Sequence, residues 1–274
     1  ALPISPAAEY AQENGFEVLI SDLVDINTAD IALDNTEYVY DGTEKRPVPT
    51  VSVEGNVLVK DTDYSVEYSD NVKAGQATVT IKGVGRYTGV AVKAFAVKKA
   101  AVTSAGVSLS AASFTFTGKA VSPTVKVTVD GKTLVKDTDY TIAFSNNNAV
   151  GTAYVTVTGI GNYSGSVKKA FSVKLANVTG LTSSSAADTS MTLKWNKVTG
   201  ATGYRVYLVN TSTGKLTKKG DVKTNTLTVS GLSAGTKYKF AIKAYRTQSG
   251  INYLSPVYTY NTLSTAPAKV AFTI

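Results

Sequence analysis

The chain has 274 residues, of which 43% are hydrophobic and 18% charged, and its formal net charge is +8. It contains no cysteine and no histidine, which excludes a disulfide, a thiolate nucleophile, a Cys/His zinc site and a histidine general base within these residues. The length suits about two to four small units, and the abundance of Val, Thr and Tyr favours pleated, half-buried strands.

The charge is uneven along the chain. Ten of the 20 acidic residues fall in positions 1–44, which hold no Lys or Arg, whereas residues 175–274 carry 12 Lys/Arg against only Asp188 and Asp221. A basic tail can meet polyanions such as acidic glycans or cell-wall polymers. Scattered lysines also keep strand faces soluble and discourage edge pairing. No arginine-rich or aromatic-interleaved basic motif points to nucleic acid. No apolar run approaches the ~18 residues that span a bilayer, and "ALPISPAAEY" lacks the charged start and apolar core of a signal peptide. A signal or anchor is therefore expected outside this fragment.

Taken in order, residues 1–29 read as a linker or the tail of an upstream domain, with a short helix over Ala7–Gln12 and a strand through Phe16, Val18 and Ile20. Two units follow, residues 30–99 and 100–175. Residues 58–98 align without a gap on 134–174 at an offset of 76 and match at 22 of 41 positions. Upstream, Tyr38/Phe114, Tyr40/Phe116, Gly42/Gly118 and Pro47/Pro123 keep the same register, so one unit has been duplicated in tandem. Inside each unit the period is two. Ala77, Val79 and Ile81 share a face, as do Ala153, Val155 and Val157, and turn residues separate the strands.

Each unit carries a glycine cluster, "GVGRYTG" at 83–89 and "GIGNYSG" at 159–165. A phosphate-binding loop must feed the N-terminus of a helix, whereas these runs lead into "VAVKAFAV" and "SVKKAFSV", which are strands. They are predicted to be turns, with Tyr87 and Tyr163 folded back on the sandwich edge and available as candidate sugar contacts. Asp61, Asp63, Asp137 and Asp139 recur in register near Asn-containing turns and are the candidate calcium ligands. The competing reading, that these short acids shape the turn before Tyr64 and Tyr140, carries more weight. No other cofactor is expected. The join "KKAAVTSAG" predicts limited flexibility between the units.

The pattern "DTDYSVEYSDN" through "ATVTIKG" to the glycine cluster and "KAFAV" resembles short immunoglobulin-like repeats of Gram-positive surface and secreted proteins. That resemblance implies an extracellular β-sandwich of mostly structural role. Residues 176–266 differ. Trp195 and Leu193 share one strand face; Tyr204, Val206 and Leu208 alternate in the next; and "GLSAGTKYKFAIKAY" sets Leu232 six residues before Tyr238. This resembles a fibronectin type III domain with its tyrosine corner, which implies that Trp195 belongs to the core. Residues 267–274 read as the start of a following segment.

The expected architecture is all-β: three small β-sandwich domains in tandem. With no catalytic residues identified, the chain reads as a non-catalytic, monomeric spacer of a larger extracellular or cell-surface protein, adhesion included. The alternative is a carbohydrate- or cell-wall-binding accessory module, with Tyr253, Tyr258 and Tyr260 as further stacking candidates and a polysaccharide as partner.

Overall fold

A computed structural model describes residues 10, 13–15 and 23–269. Apart from Tyr10, the helix expected over Ala7–Gln12 lies outside the described residues, as does the strand through Phe16, Val18 and Ile20. The architecture is all-β, and among the described residues no helix is long and apolar enough to cross a membrane. The chain divides into two compact units. One comprises residues 1–106, 127–141 and 158–166, and the other residues 107–126, 142–157 and 167–274.

In the first unit, alternation of β-branched with polar residues makes half-buried strands. Gly75–Gly83 pairs with Tyr64–Ser69 on one side and Val90–Lys98 on the other, both antiparallel. Ala77, Val79 and Ile81 point inward and are fully buried, as the period of two predicts, and Phe95 and Val97 join them from the neighbouring strand. Facing this sheet is a second one of Asp30–Leu33, Pro49–Val53 and Asn56–Val57, which contributes Val51 to the same core. The opening strand changes sheets. Asp30–Leu33 pairs with Pro49–Val53, whereas Glu37–Val39 runs parallel to the last strand, Glu37 opposite Ala96. Tyr38 then meets Phe95 edge-on, their centroids 5.8 Å apart.

In the second unit the duplicated counterpart recurs. Ser113–Thr115 runs parallel to Ser166–Lys174, and Phe114 meets Phe171 edge-on at 5.7 Å. Residues 176–266 add two sheets. Thr182–Ala186, Ser190–Lys194 and Thr226–Ser230 form the first. In the second, the long strand Lys237–Gln248 pairs with Gly203–Val209, Ile251–Leu254 and Thr259–Ser264, and Leu216–Val222 lies at the edge beyond Gly203–Val209. Met191, Leu193, Trp195, Val206, Phe240 and Ile242 fill the space between them and belong to a cluster that also includes Phe116, Phe171, Val173 and Leu175. The Trp195 ring lies 5.3 Å from Tyr204, and its indole Nε1 is buried without a hydrogen-bond partner. Tyr238 makes the expected corner, its hydroxyl accepting from the Ser233 N–H at 2.8 Å.

Phe240 is fully buried in this cluster. Phe240→Ala is expected to cost about 3–5 kcal/mol, the penalty for deleting a core phenyl group. The emission of the single Trp195 reports the shift in urea midpoint. A loss below about 1 kcal/mol would contradict the packing described.

Candidate functional site

The two motifs that the sequence singles out form one hydrogen-bonded assembly in each repeat, and both copies lie in the first unit. Asp63 Oδ2 accepts from the Val59 N–H at 2.7 Å, while the Asp63 N–H donates to the Val59 carbonyl at 2.8 Å. Asp139 makes the same reciprocal pair with Val135, at 2.8 Å in both directions. Asp61 and Asp137 both sit at φ 64°, a left-handed conformation that Asp tolerates better than most residues. The acidic side chains at 63 and 139 thus close turns. The Asn71 amide is directed elsewhere, to the Lys45 carbonyl at 3.0 Å. Among the described residues no three carboxylates converge.

The glycine cluster is fastened to this turn. The Val84 N–H donates to the Asp63 carbonyl and the Ile160 N–H to the Asp139 carbonyl, each at 2.9 Å. Gly83 N–H donates to the Gly89 carbonyl at 3.1 Å and Gly159 N–H to the Gly165 carbonyl at 3.0 Å, closing each loop on itself. Tyr87 N–H is bound to the Val84 carbonyl. Amides that would have to cradle a phosphate are therefore already committed to carbonyls, and each loop is a turn.

Each closed loop receives the chain segment that enters its repeat. Val24–Asp25 pairs in parallel with Tyr87–Thr88, and Ala100–Ala101 pairs in parallel with Tyr163–Ser164. Ala100 and Val102 are buried, and the join, for which limited flexibility is expected, pairs as a short strand in the first unit. At Gly89 the backbone favours glycine through its φ of 86°, and an added Cβ would also displace the Asp25 carboxylate. Close by, the 3₁₀ turn Ile26–Thr28 buries Ile26 completely, and Asn27 Oδ1 accepts from the Val90 N–H at 3.1 Å.

The two tyrosines proposed as sugar contacts differ. Tyr87 is half-buried, with the Arg86 guanidinium 5.5 Å from its ring centroid. Tyr163 is buried, its ring meeting Tyr40 edge-on at 5.5 Å; burial, the largest influence, pushes its hydroxyl above the usual phenol range. In the same unit Asn162 Oδ1 accepts from the Ala74 N–H at 3.0 Å. Tyr253, in the second unit, is half-buried against Gly151, where an added Cβ would lie 3.3 Å from its ring.

Tyr258 and Tyr260 lie on the outer side of the long-strand sheet beside Tyr207, with centroid separations of 6.0 Å (Tyr258–Tyr260) and 5.7 Å (Tyr207–Tyr258). Sequence reading identified two of the three. Tyr207 was missed because its neighbourhood exists only after three strands pair. Elsewhere in the first unit a concavity of about 580 Å³ is lined by Asn27, Asp30, Ile31, Thr50, Val92 and Lys93, where one carboxylate and one ammonium are the charged groups.

Residues 176–260 match the family profile of the Fibronectin type III domain. Chitinase D of Niallia circulans is 46% identical over 68 residues, which are 24% of this chain and 12% of that enzyme. Chitinase Chi52 of Paenibacillus xylanexedens is 45% identical over 71 residues, again 24% of this chain and 12% of the enzyme. The similarity thus spans about an eighth of the length of these chitinases. A solved structure named FN3tt is 26% identical, covering 33% of this chain and 95% of its own, with a TM-score of 0.27. The fn3 domain of human collagen alpha-1(XX) chain is 19% identical, covering 36% and 92% respectively, with a TM-score of 0.30. Residues 176–260 are therefore a fibronectin type III domain, of a kind that bacterial chitinases also contain.

Two substitutions test the loop assembly. Gly89→Ala carries both a clash and a positive φ, whereas Gly55→Ala, at φ 81° with nothing within 4 Å of the added Cβ, carries only the backbone strain. Gly89→Ala should lose the larger part of about 1–3 kcal/mol and open the chain near Asp25 to protease, while Gly55→Ala should leave that cleavage unchanged. Asp63→Ala and Asp139→Ala should each lower the melting temperature equally in EDTA and in calcium. A loss seen only with calcium present would assign these carboxylates to a metal rather than to the turn.

Proposed function

We propose that this chain is a non-catalytic accessory segment of a larger extracellular bacterial protein, which spaces and presents the modules beside it. In this reading the chain contains two immunoglobulin-like repeats, residues 30–99 and 100–175, followed by the fibronectin type III domain, with 267–274 starting the next segment. It acts as a monomer on or outside a Gram-positive cell, and residues 1–29 lead in from the preceding module. The observation that carries the reading is the fastening of the two joins: Val24–Asp25 against Tyr87–Thr88, and Ala100–Ala101 against Tyr163–Ser164. A flexible tether leaves its backbone groups to water, whereas these joins place theirs in strand bridges, which suits holding a fixed spacing.

Two further observations support it. Two chitinases resemble this chain over about an eighth of their length, which fits a module carried beside a catalytic domain. The carboxylates that recur in register, Asp63 and Asp139, are occupied in closing turns rather than poised across a cleft as an acid and base pair.

Because the chain has no native cysteine, pairs of introduced cysteines give unique label sites. Val57 is 68% exposed and Lys136 is exposed, both in the first unit. Spin labels on Val57→Cys/Lys136→Cys should report one narrow distance distribution by double electron–electron resonance. A broad or multimodal distribution would overturn the rigid-spacer reading. Adding Gly165→Val should broaden it, since a Cβ at that position, φ 87°, meets the Val102 carbonyl at 3.2 Å.

A further inference from the structure

Alternation along Lys237–Gln248 sends Phe240, Ile242 and Ala244 into the core and leaves Lys239, Ala241, Lys243 and Tyr245 on the other side of the sheet. Strand register then decides which side chains gather there. Ala241 stands opposite Tyr207 on one neighbour and Tyr260 on the other, and Lys243 stands opposite Arg205. Although it points outward, Ala241 has no exposed surface, consistent with flanking aromatic side chains closing over a small residue. Tyr258 completes the group. Lys243 Nζ lies 4.4 Å from the Tyr258 centroid, and Lys239 Nζ lies 5.0 Å from that of Tyr260.

The charge on this face is uncompensated. Residues 175–274 contain two acids against 12 Lys/Arg. Asp221 is held by Arg205 through Nε at 2.9 Å and Nη2 at 3.3 Å, and by Lys218 at 2.7 Å. Asp188 accepts from the Thr189 N–H in the turn between Thr182–Ala186 and Ser190–Lys194, in the other sheet. Neither acid neutralises Lys239 or Lys243. Burial, the largest influence, holds the Tyr258 hydroxyl above its ordinary pKa.

We propose that this face, centred on Tyr207, Tyr258, Tyr260, Lys239 and Lys243, binds a single chain of an acidic, uronate-bearing polysaccharide. Two ammonium groups without a carboxylate partner attract the anionic substituents. Three phenol hydroxyls match the alternating donors and acceptors of sugar hydroxyls, and the 48% exposed Tyr260 offers a ring to a pyranose face. The interplanar angles, 82° and 49°, reject the flat face of a crystalline polymer and admit one twisted chain. Single-stranded nucleic acid fits less well. It requires successive open ring faces, and here Tyr207 and Tyr258 are half-buried and Tyr260 alone of the three is exposed. The site does not depend on the spacing role, since its residues all belong to the second unit.

The test titrates the full chain into fluorescein-labelled polygalacturonate, with a soluble neutral chitin oligomer and oligothymidylate as comparators, at low and high salt. Lys239→Gln/Lys243→Gln should weaken polygalacturonate binding at least about tenfold. Lys194→Gln/Lys197→Gln, an equal change in charge away from the face, should weaken it less than about twofold. Tyr260→Ala should cost about tenfold and abolish whatever binding survives high salt. Trp195 emission monitors folding, and Tyr260→Phe, which keeps the ring, serves where the alanine variant loses stability. Equal loss in the two lysine pairs would reduce the effect to net charge and overturn the proposal. So would tighter binding of oligothymidylate, or no binding of polygalacturonate at low salt.

Discussion

The first unit depends on one backbone contact made twice, a strand entering each repeat laid against a loop that glycine has closed. At Gly83 an added Cβ would lie 2.6 Å from the carbonyl carbon of Tyr87, and at Gly159 one would lie 2.8 Å from Ser164 N. Only a residue without a side chain lets the loop fold back so tightly and bring Tyr87 or Tyr163 beside the incoming segment. The Asp-Thr-Asp turn then secures the loop from behind through the Asp63 and Asp139 carbonyls. Three stretches far apart in sequence thus hold one another. The tyrosine amide, the loop amide and the join amide all find carbonyl partners, which is the condition for placing irregular backbone at a junction.

Period-two alternation and the tyrosine corner were legible because they are local. Ala77, Val79 and Ile81 needed only their spacing to be assigned inward, and Leu232, Tyr238 and Phe240 needed only theirs. The parallel pairing of Glu37–Val39 with Val90–Lys98 was not legible, since its partners lie about sixty residues apart and a strand of three residues carries almost no pattern. The join reads as a short link of limited flexibility, and the pairing of Ala100 opposite Tyr163 was not legible because its partner lies about sixty residues on. For Asp63 the sequence weighed the turn above the metal, because short polar side chains commonly hydrogen-bond their own backbone. The two tyrosines of the glycine clusters occupy identical motif positions. What marks out Tyr163 is Tyr40, whose ring meets it edge-on.

The fibronectin type III domain separates stability from surface chemistry along a single strand. Lys237–Gln248 supplies Phe240, Ile242 and Ala244 to the core and Lys239, Lys243 and Tyr245 to the outside, so the two sets share a backbone but not an environment. Asp221 sets the character of the outer side by engaging Arg205, the one guanidinium there, and leaving the unpaired charge to lysines. An ammonium over a phenol ring gains attraction to the ring while remaining able to exchange it for an anion, whereas a guanidinium locked in a carboxylate fork does not. A sheet built in this way can change what it meets by substitution at the outward positions alone. The inward ones continue to specify the fold, and for that reason fold identity at residues 176–260 leaves the ligand to be decided by the outer face.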